Sequence, residues 1–290
     1  MLQPLSRSVG LVSCLALLAV VAGSRPSWAQ SCPGPQPEVE PNDTPATATT
    51  LVPTNQFQQG LLIPVPGSIA TPGDEDYFRI PATQGQLFWI VVDTSLPQLP
   101  GGSRDSIVDV FDPGLALLQS DDDDGTAFAG DFPFYFDNSV IAGLEAPTTG
   151  TYTIRVRSGA PGTSMAYRLL IGIGPASAVA TTFPGDVDVY SAGVFDLGRP
   201  MVLVDGRPGA EPGSDMVIEA RLVIGLDWVT IDSSGEFGQP AEGALLPSIA
   251  PELRVTTRST FSGERPYRIA VFYQGDTCQL PVSLQSFAVE

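Results

Sequence analysis

The 290-residue sequence contains no histidine and no lysine, since all 14 of its basic residues are arginines. The missing histidine excludes a Ser-His-Asp triad, a Cys-His pair and an imidazole zinc site. The missing lysine excludes a Walker phosphate-binding loop and Schiff-base chemistry. Paired carboxylates are the main catalytic chemistry left, and nothing in the sequence places two of them across a cleft. The sequence therefore predicts a protein that is not an enzyme.

Positive charge is also scarce, because 14 basic residues face 32 acidic ones and the net charge is −18. Nucleic acids and anionic membranes both attract basic surfaces. We therefore predict no nucleic-acid partner and, once the N-terminal segment is removed, no membrane partner. The excess of acid is compatible with calcium binding or with solubility in a salty medium.

The N-terminus carries an apolar run at residues 9–22, between Arg7 and the small-x-small sequence Ser27-Trp28-Ala29. This pattern is typical of a signal peptide over residues 1–29, and the run is too short to span a membrane. It predicts bacterial export to a secreted or periplasmic location. A lipoprotein cleavage box ending at Cys14 is the alternative.

Cysteine is rare in the predicted mature chain, which keeps Cys32 and Cys278. An even pair in an exported protein usually forms a disulfide, so we predict a bond between these two residues. It would join the two ends of the chain and contribute about 5 kcal/mol by the loop-entropy model. Two free thiols are the alternative.

No segment shows a sustained helical period, and 28 prolines and 30 glycines would interrupt one. Tyr152, Ile154 and Val156 alternate with Thr and Arg, which is typical of a half-buried antiparallel strand. The continuous apolar run at 87–92 favours a central strand. Trp89 and Trp228 fall within strand patterns and are predicted to be buried. Short strands divided by turn residues predict an all-β fold built as a β-sandwich.

One turn-and-strand motif occurs twice, as GDEDYF at residues 73–78 and as GDVDVY at residues 185–190. In such a turn Gly permits a positive φ, and Asp binds its own backbone. The recurrence predicts two tandem antiparallel β-sandwiches. The predicted limits are an extended leader at 30–50, a first sandwich at 51–174, a linker at 175–182 and a second, divergent sandwich at 183–290.

Several motifs stand in an order that resembles the bacterial pre-peptidase C-terminal (PPC) domain family. They are EVEPND at residues 38–43, GDEDYF at 73–78, GTY at 150–152 and YRL at 167–169. The match covers residues 36–174, and residues 176–290 resemble the family only through the repeat. The resemblance implies jelly-roll-like sandwiches of exported proteins, usually without catalytic activity.

The related collagen-binding sandwich of bacterial collagenases carries a similar Glu-x-Glu-x-Asn-Asp stretch and holds calcium through it. By that resemblance, six residues are candidate calcium ligands: Glu38, Glu40, Asn42, Asp43, Asp74 and Asp76. The collagenase module has an extra acid just before its turn, where this chain has Gly73. The alternative is that the first stretch forms an Asx turn and the later aspartates only shape a hairpin.

Two other clusters stand out in the first half. Four consecutive acids, Asp121 to Asp124, do not fit the spacing of an EF-hand, and a solvated turn is the favoured interpretation. Five aromatic residues follow and could form an exposed binding surface, with core packing of alternate members as the alternative. These residues are Phe128, Phe132, Phe134, Tyr135 and Phe136.

The predicted function is that of an exported, non-catalytic β-sandwich protein. It would be a calcium-stabilised structural or adhesive module that binds extracellular protein or polysaccharide. One alternative is a carboxylate-dependent extracellular hydrolase. Another is a helper for the secretion or stability of a separate protease.

Overall fold

In a computed structural model of the chain, the described residues are 35–52, 63–98, 100–122, 125–128, 134–174, 176, 178–182, 187–190, 199–206, 216–221, 229–233, 241–245, 252–257, 265–274 and 287–289. They form strands and connecting turns, with no helix among them. The predicted all-β fold is therefore confirmed, and the sheets are consistent with a β-sandwich. The predicted signal peptide, Cys32 and Cys278 lie outside the described residues.

The strands follow one another along the chain with short turns between many of them. In chain order they are β1 (Thr49–Thr50), β2 (Ile63–Ile69), β3 (Glu75–Ala82), β4 (Leu87–Asp93), β5 (Ser106–Phe111), β6 (Leu117–Asp121), β7 (Gly125–Phe128), β8 (Phe134–Asn138), β9 (Val140–Glu145), β10 (Gly150–Ser158), β11 (Met165–Gly174), β12 (Ala178–Thr182), β13 (Val187–Tyr190), β14 (Arg199–Asp205), β15 (Met216–Arg221), β16 (Val229–Ser233), β17 (Ala241–Leu245), β18 (Glu252–Thr257), β19 (Arg265–Gln274) and β20 (Phe287–Val289).

These strands form four sheets. The first has the order β1-β3-β10-β5-β6 and the second β2-β11-β4-β9. The third has the order β12-β19-β14-β17-β7-β8 and the fourth β16-β15-β18-β13-β20. Neighbouring strands run antiparallel, apart from the parallel pairs β1–β3 and β17–β7.

The first and second sheets enclose one apolar core. Tyr152, Ile154 and Val156 of β10 point into it and are fully buried, as their alternation predicted. Phe88 of β4 contacts Tyr152 from the opposite sheet, with the ring centroids 4.9 Å apart. Such an aromatic pair stabilises a core by about 0.5–1.5 kcal/mol beyond the effect of the buried area. This core holds the first and second sheets together, and both sheets carry residues of the candidate site.

Strand β4 is buried along its whole length because both of its faces are covered. One face lines the first core, and the other packs against Leu203 of β14 and Ala270 of β19. Trp89 is fully buried on this second face, as predicted, and its indole N–H donates to the carbonyl of Gly174 at 3.3 Å. The second and third sheets therefore pack together. Trp228 lies outside the described residues.

The hairpin of β7 and β8 joins a sheet built mainly from the second half of the chain. Residues 125–127 of β7 pair in parallel with residues 243–245 of β17. The predicted first sandwich at 51–174 contains both strands, and the sequence predicted neither this hairpin nor its pairing with β17. The boundaries of the two tandem sandwiches stay a prediction. The described part of the chain contains no apolar helix of membrane-spanning length.

Candidate metal centre

The leader reaches the candidate site by pairing with β2. The N–H of Gln36 donates to the carbonyl of Pro64 at 3.1 Å, and the N–H of Glu38 donates to the carbonyl of Pro66 at 3.3 Å. Proline has no N–H and is therefore confined mainly to edge strands of sheets. Strand β2 lies at an edge of the second sheet, and its two proline carbonyls receive the leader. This pairing fixes the position of Glu38.

Two side chains attach the first part of the leader, residues 36–39, to the chain at and just after β1. The hydroxyl of Thr49 in β1 accepts from the N–H of Val39 at 2.9 Å and donates to its carbonyl at 3.2 Å. The amide of Gln36 makes the equivalent pair of bonds with the backbone of Val52, at 3.1 and 3.0 Å. Because β1 belongs to the first sheet and β2 to the second, the leader joins both sheets.

The turn before β3 supplies the next carboxylates. Gly73 has a φ of 86°, a left-handed value that glycine adopts freely, as the motif predicted. The N–H of Asp74 donates to the carbonyl of Thr71 at 3.1 Å, and its carboxylate accepts from the N–H of Ala70 at the same distance. Strand alternation then turns Asp76 inward, where it is fully buried.

Five of the six candidate ligands lie together as two overlapping groups of carboxylates. Glu38, Glu40 and Asp76 form one group, and Glu40, Asp43 and Asp74 form the other. Within each group, one oxygen from each residue lies within 4.8 Å of the others. Asp76 is buried in the first group, whereas Glu40 and Asp43 are exposed in the second. The carboxylates chosen from the sequence are thus brought to one place, and Glu40 is common to both groups.

The sixth candidate ligand, Asn42, is fully buried and fixes the leader to the start of β3. Its N–H donates to Oε2 of Glu40 at 2.9 Å, and its carbonyl accepts from the N–H of Tyr77 at 3.0 Å. The peptide bond between Glu40 and Pro41 is cis. Coordination of an ion by the side-chain oxygen of Asn42 stays a prediction.

Tyr167 of β11 is a site residue that sequence reasoning missed. Its hydroxyl donates to Oδ2 of Asp76 at 2.6 Å and lies 3.1 Å from Oε2 of Glu38. The N–H of Ser68 donates to the other oxygen of Glu38 at 2.8 Å. Tyr167 lies opposite Gly67 on β2, where an added Cβ would collide with its hydroxyl. A tyrosine paired with glycine across two strands is a signal that requires the strand register to be known.

Electrostatics distinguish this buried group from an ordinary surface cluster. Burial raises the pKa of Asp76 to about 9; the charge of Glu38 adds to the rise, and the hydrogen bond from Tyr167 opposes it. Burial also raises the pKa of Glu38. The pKa of Tyr167 rises as well, chiefly through burial, which keeps its hydroxyl a donor. Without a cation, the buried carboxylate pair therefore holds a proton at neutral pH.

The donor set fits a hard divalent cation. The grouped donors are carboxylate oxygens, and calcium binds six to eight oxygens in flexible geometry. Two carboxylates at 5 Å repel each other by about 1 to 3 kcal/mol between water-like and surface-like dielectric constants. A bound cation would remove this repulsion and the need for a proton on Asp76. The residues present are therefore suited to calcium.

The four consecutive acids, Asp121 to Asp124, lie partly within the described residues. Asp121 is buried, and its carboxylate accepts from the N–H of Val140 at 2.5 Å, so the solvated-turn interpretation is wrong for this residue. Its role is to connect β6 to the start of β9. Asp123 and Asp124 lie outside the described residues.

The aromatic cluster is described only through its strands. Phe128 ends β7, and three more aromatic members, at residues 134–136, lie in β8. Phe132 lies outside the described residues. The exposed binding surface stays a prediction.

Comparison with known proteins adds no relative to this picture. No protein-family model matches the chain, and no curated protein matches it. The resemblance to PPC domains therefore rests on the short motifs at residues 38–43, 73–78, 150–152 and 167–169.

Proposed function

We propose that this chain is an exported, non-catalytic β-sandwich protein of PPC type whose leader is held in place by calcium. The observation that carries the proposal is the sharing of Glu40 between two carboxylate groups. One group reaches Asp76 inside the sandwich, and the other reaches Asp74 in the turn before β3. Cations bound at these groups would join the leader to the sandwich.

The ligand set follows from the two groups. Glu38, Glu40 and Asp76 would hold a buried ion, and Glu40, Asp43 and Asp74 would hold a second ion nearer to solvent. Calcium supplies positive charge that offsets the mutual repulsion of these acids. Because binding requires ionised carboxylates, the buried ion would release the proton held by Glu38 and Asp76. The ions would add to the hydrogen bonds that already attach the leader to both sheets.

A rigid, calcium-stabilised sandwich suits a structural or adhesive role outside the cell. The absence of histidine and lysine from the sequence supports a role in binding rather than catalysis. Extracellular protein or polysaccharide is the proposed partner class. An array of glycans and matrix proteins, probed with and without calcium, would identify the partner. Help in the secretion or stability of a separate protease is an alternative non-catalytic role.

Thermal unfolding tests the calcium part of the proposal. The mature chain is melted in calcium and in EDTA, and calcium is expected to raise the midpoint because it binds the folded state. Magnesium at the same concentration serves as the control for ionic strength, and its effect is expected to be smaller because magnesium demands stricter geometry. Coincident melts in calcium and EDTA would rule the proposal out.

The second candidate is a carboxylate-dependent hydrolase, in which Glu38 and Asp76 would supply the two carboxylates. Two carboxylates with different surroundings can serve as acid and base. Turnover of chromogenic glycosides that disappears in Asp76→Asn and persists in EDTA would support the hydrolase. Absence of turnover together with calcium-dependent binding on the array would support the binding module.

A further inference from the structure

No further inference is drawn: the strongest candidate, the exposed apolar tip of the β5–β6 hairpin formed by Leu115 and Leu117, carries nothing because the described residues do not show what would cover it.

Discussion

The hydroxyl of Tyr167 donates a hydrogen bond of 2.6 Å to the carboxylate of Asp76. Asp76 lies on β3 of the first sheet and Tyr167 on β11 of the second, so the bond joins the two sheets at the candidate centre. The leader adds Glu38, whose carboxylate lies 3.1 Å from the same hydroxyl. Three segments that are distant in sequence therefore meet at one oxygen atom.

Replacing Tyr167 by Phe removes this hydroxyl and keeps the ring. The variant is expected to lose about 1–3 kcal/mol of unfolding free energy because a buried carboxylate loses a donor. The pKa of Asp76 should rise further, since the hydrogen bond lowers it in the native chain. Calcium affinity should then fall, because the metal competes with a more tightly held proton. Urea denaturation and calcium titration measure the two effects.

Tyr152 offers a matched control in the same core. Its hydroxyl donates to the carbonyl of Thr148 at 2.5 Å, away from the carboxylate groups. Tyr152→Phe is expected to lose stability and keep its calcium affinity. If Tyr167→Phe binds calcium as tightly as the native chain, Tyr167 has no part in the centre.

The stability of the calcium-free protein is expected to depend on the ionisation of Asp76. Burial raises the pKa of Asp76 from 3.8 to about 9, so between these values the folded chain binds more protons at this site than the unfolded chain. The stability that Asp76 contributes to the folded state is fully present below pH 3.8 and is lost as the pH rises toward about 9. Unfolding free energies in EDTA, measured between about pH 5 and pH 9, give the slope.

Asp76→Asn removes the titrating group and is therefore the control for this slope. The variant should show a weaker fall in stability with pH, because the remaining slope comes from the other acids. If the unfolding free energies of the native chain and of Asp76→Asn change equally with pH, the pH dependence comes from groups other than Asp76.

The packing of the second sheet on the third predicts that the two halves of the chain stabilise each other. Leu203 is fully buried against the face of β4 that carries Trp89. Leu203→Ala is expected to cost about 2–5 kcal/mol because it leaves a cavity in this core. In a Trp228→Phe background, the fluorescence of Trp89 should report the loss as a lower urea midpoint. An unchanged midpoint would mean that the halves unfold independently.

Leu115 is expected to lower the free energy of unfolding, because its φ is 66°, in the left-handed region that leucine rarely adopts. The turn closes through a 2.9 Å bond from its N–H to the carbonyl of Asp112, and its side chain stays half exposed. Leu115→Asn should raise the unfolding free energy by about 1 kcal/mol, since asparagine tolerates this conformation better.

Leu117→Asn is the control for this turn, because Leu117 is about as exposed as Leu115 but lies in strand β6 and has no positive φ. It should give no gain in thermal or urea stability. A gain in both variants would point to lost surface apolarity rather than relieved strain.

Local chemistry made part of the fold and site predictable. The alternation of Tyr152, Ile154 and Val156 identified an inward face, and the Gly73 turn identified where β3 begins. These two features depend on neighbours in sequence. The acids of the leader and of the turn stand far apart in sequence, and they were grouped through the resemblance to the collagenase sandwich.

Other features depend on strand register and on contacts between distant segments. The role of Tyr167 requires the pairing that places it opposite Gly67. The burial of Asp121 requires β9 to present the N–H of Val140. The pairing of β7 with β17 joins residues more than a hundred positions apart, and no local pattern in either strand specifies it. Strand register and long-range strand pairing cannot be inferred from local patterns in a single sequence.

Calcium titration of Glu40→Gln tests the shared centre most directly, with Glu145→Gln as a control that removes the same charge from an acid outside both carboxylate groups. Isothermal calorimetry on the native mature chain should show saturable binding of up to two ions. Because Glu40 belongs to both groups, Glu40→Gln should lose this binding, whereas Glu145→Gln should keep it. Native-like calcium binding by Glu40→Gln, or no binding by the native chain, would contradict the proposed centre.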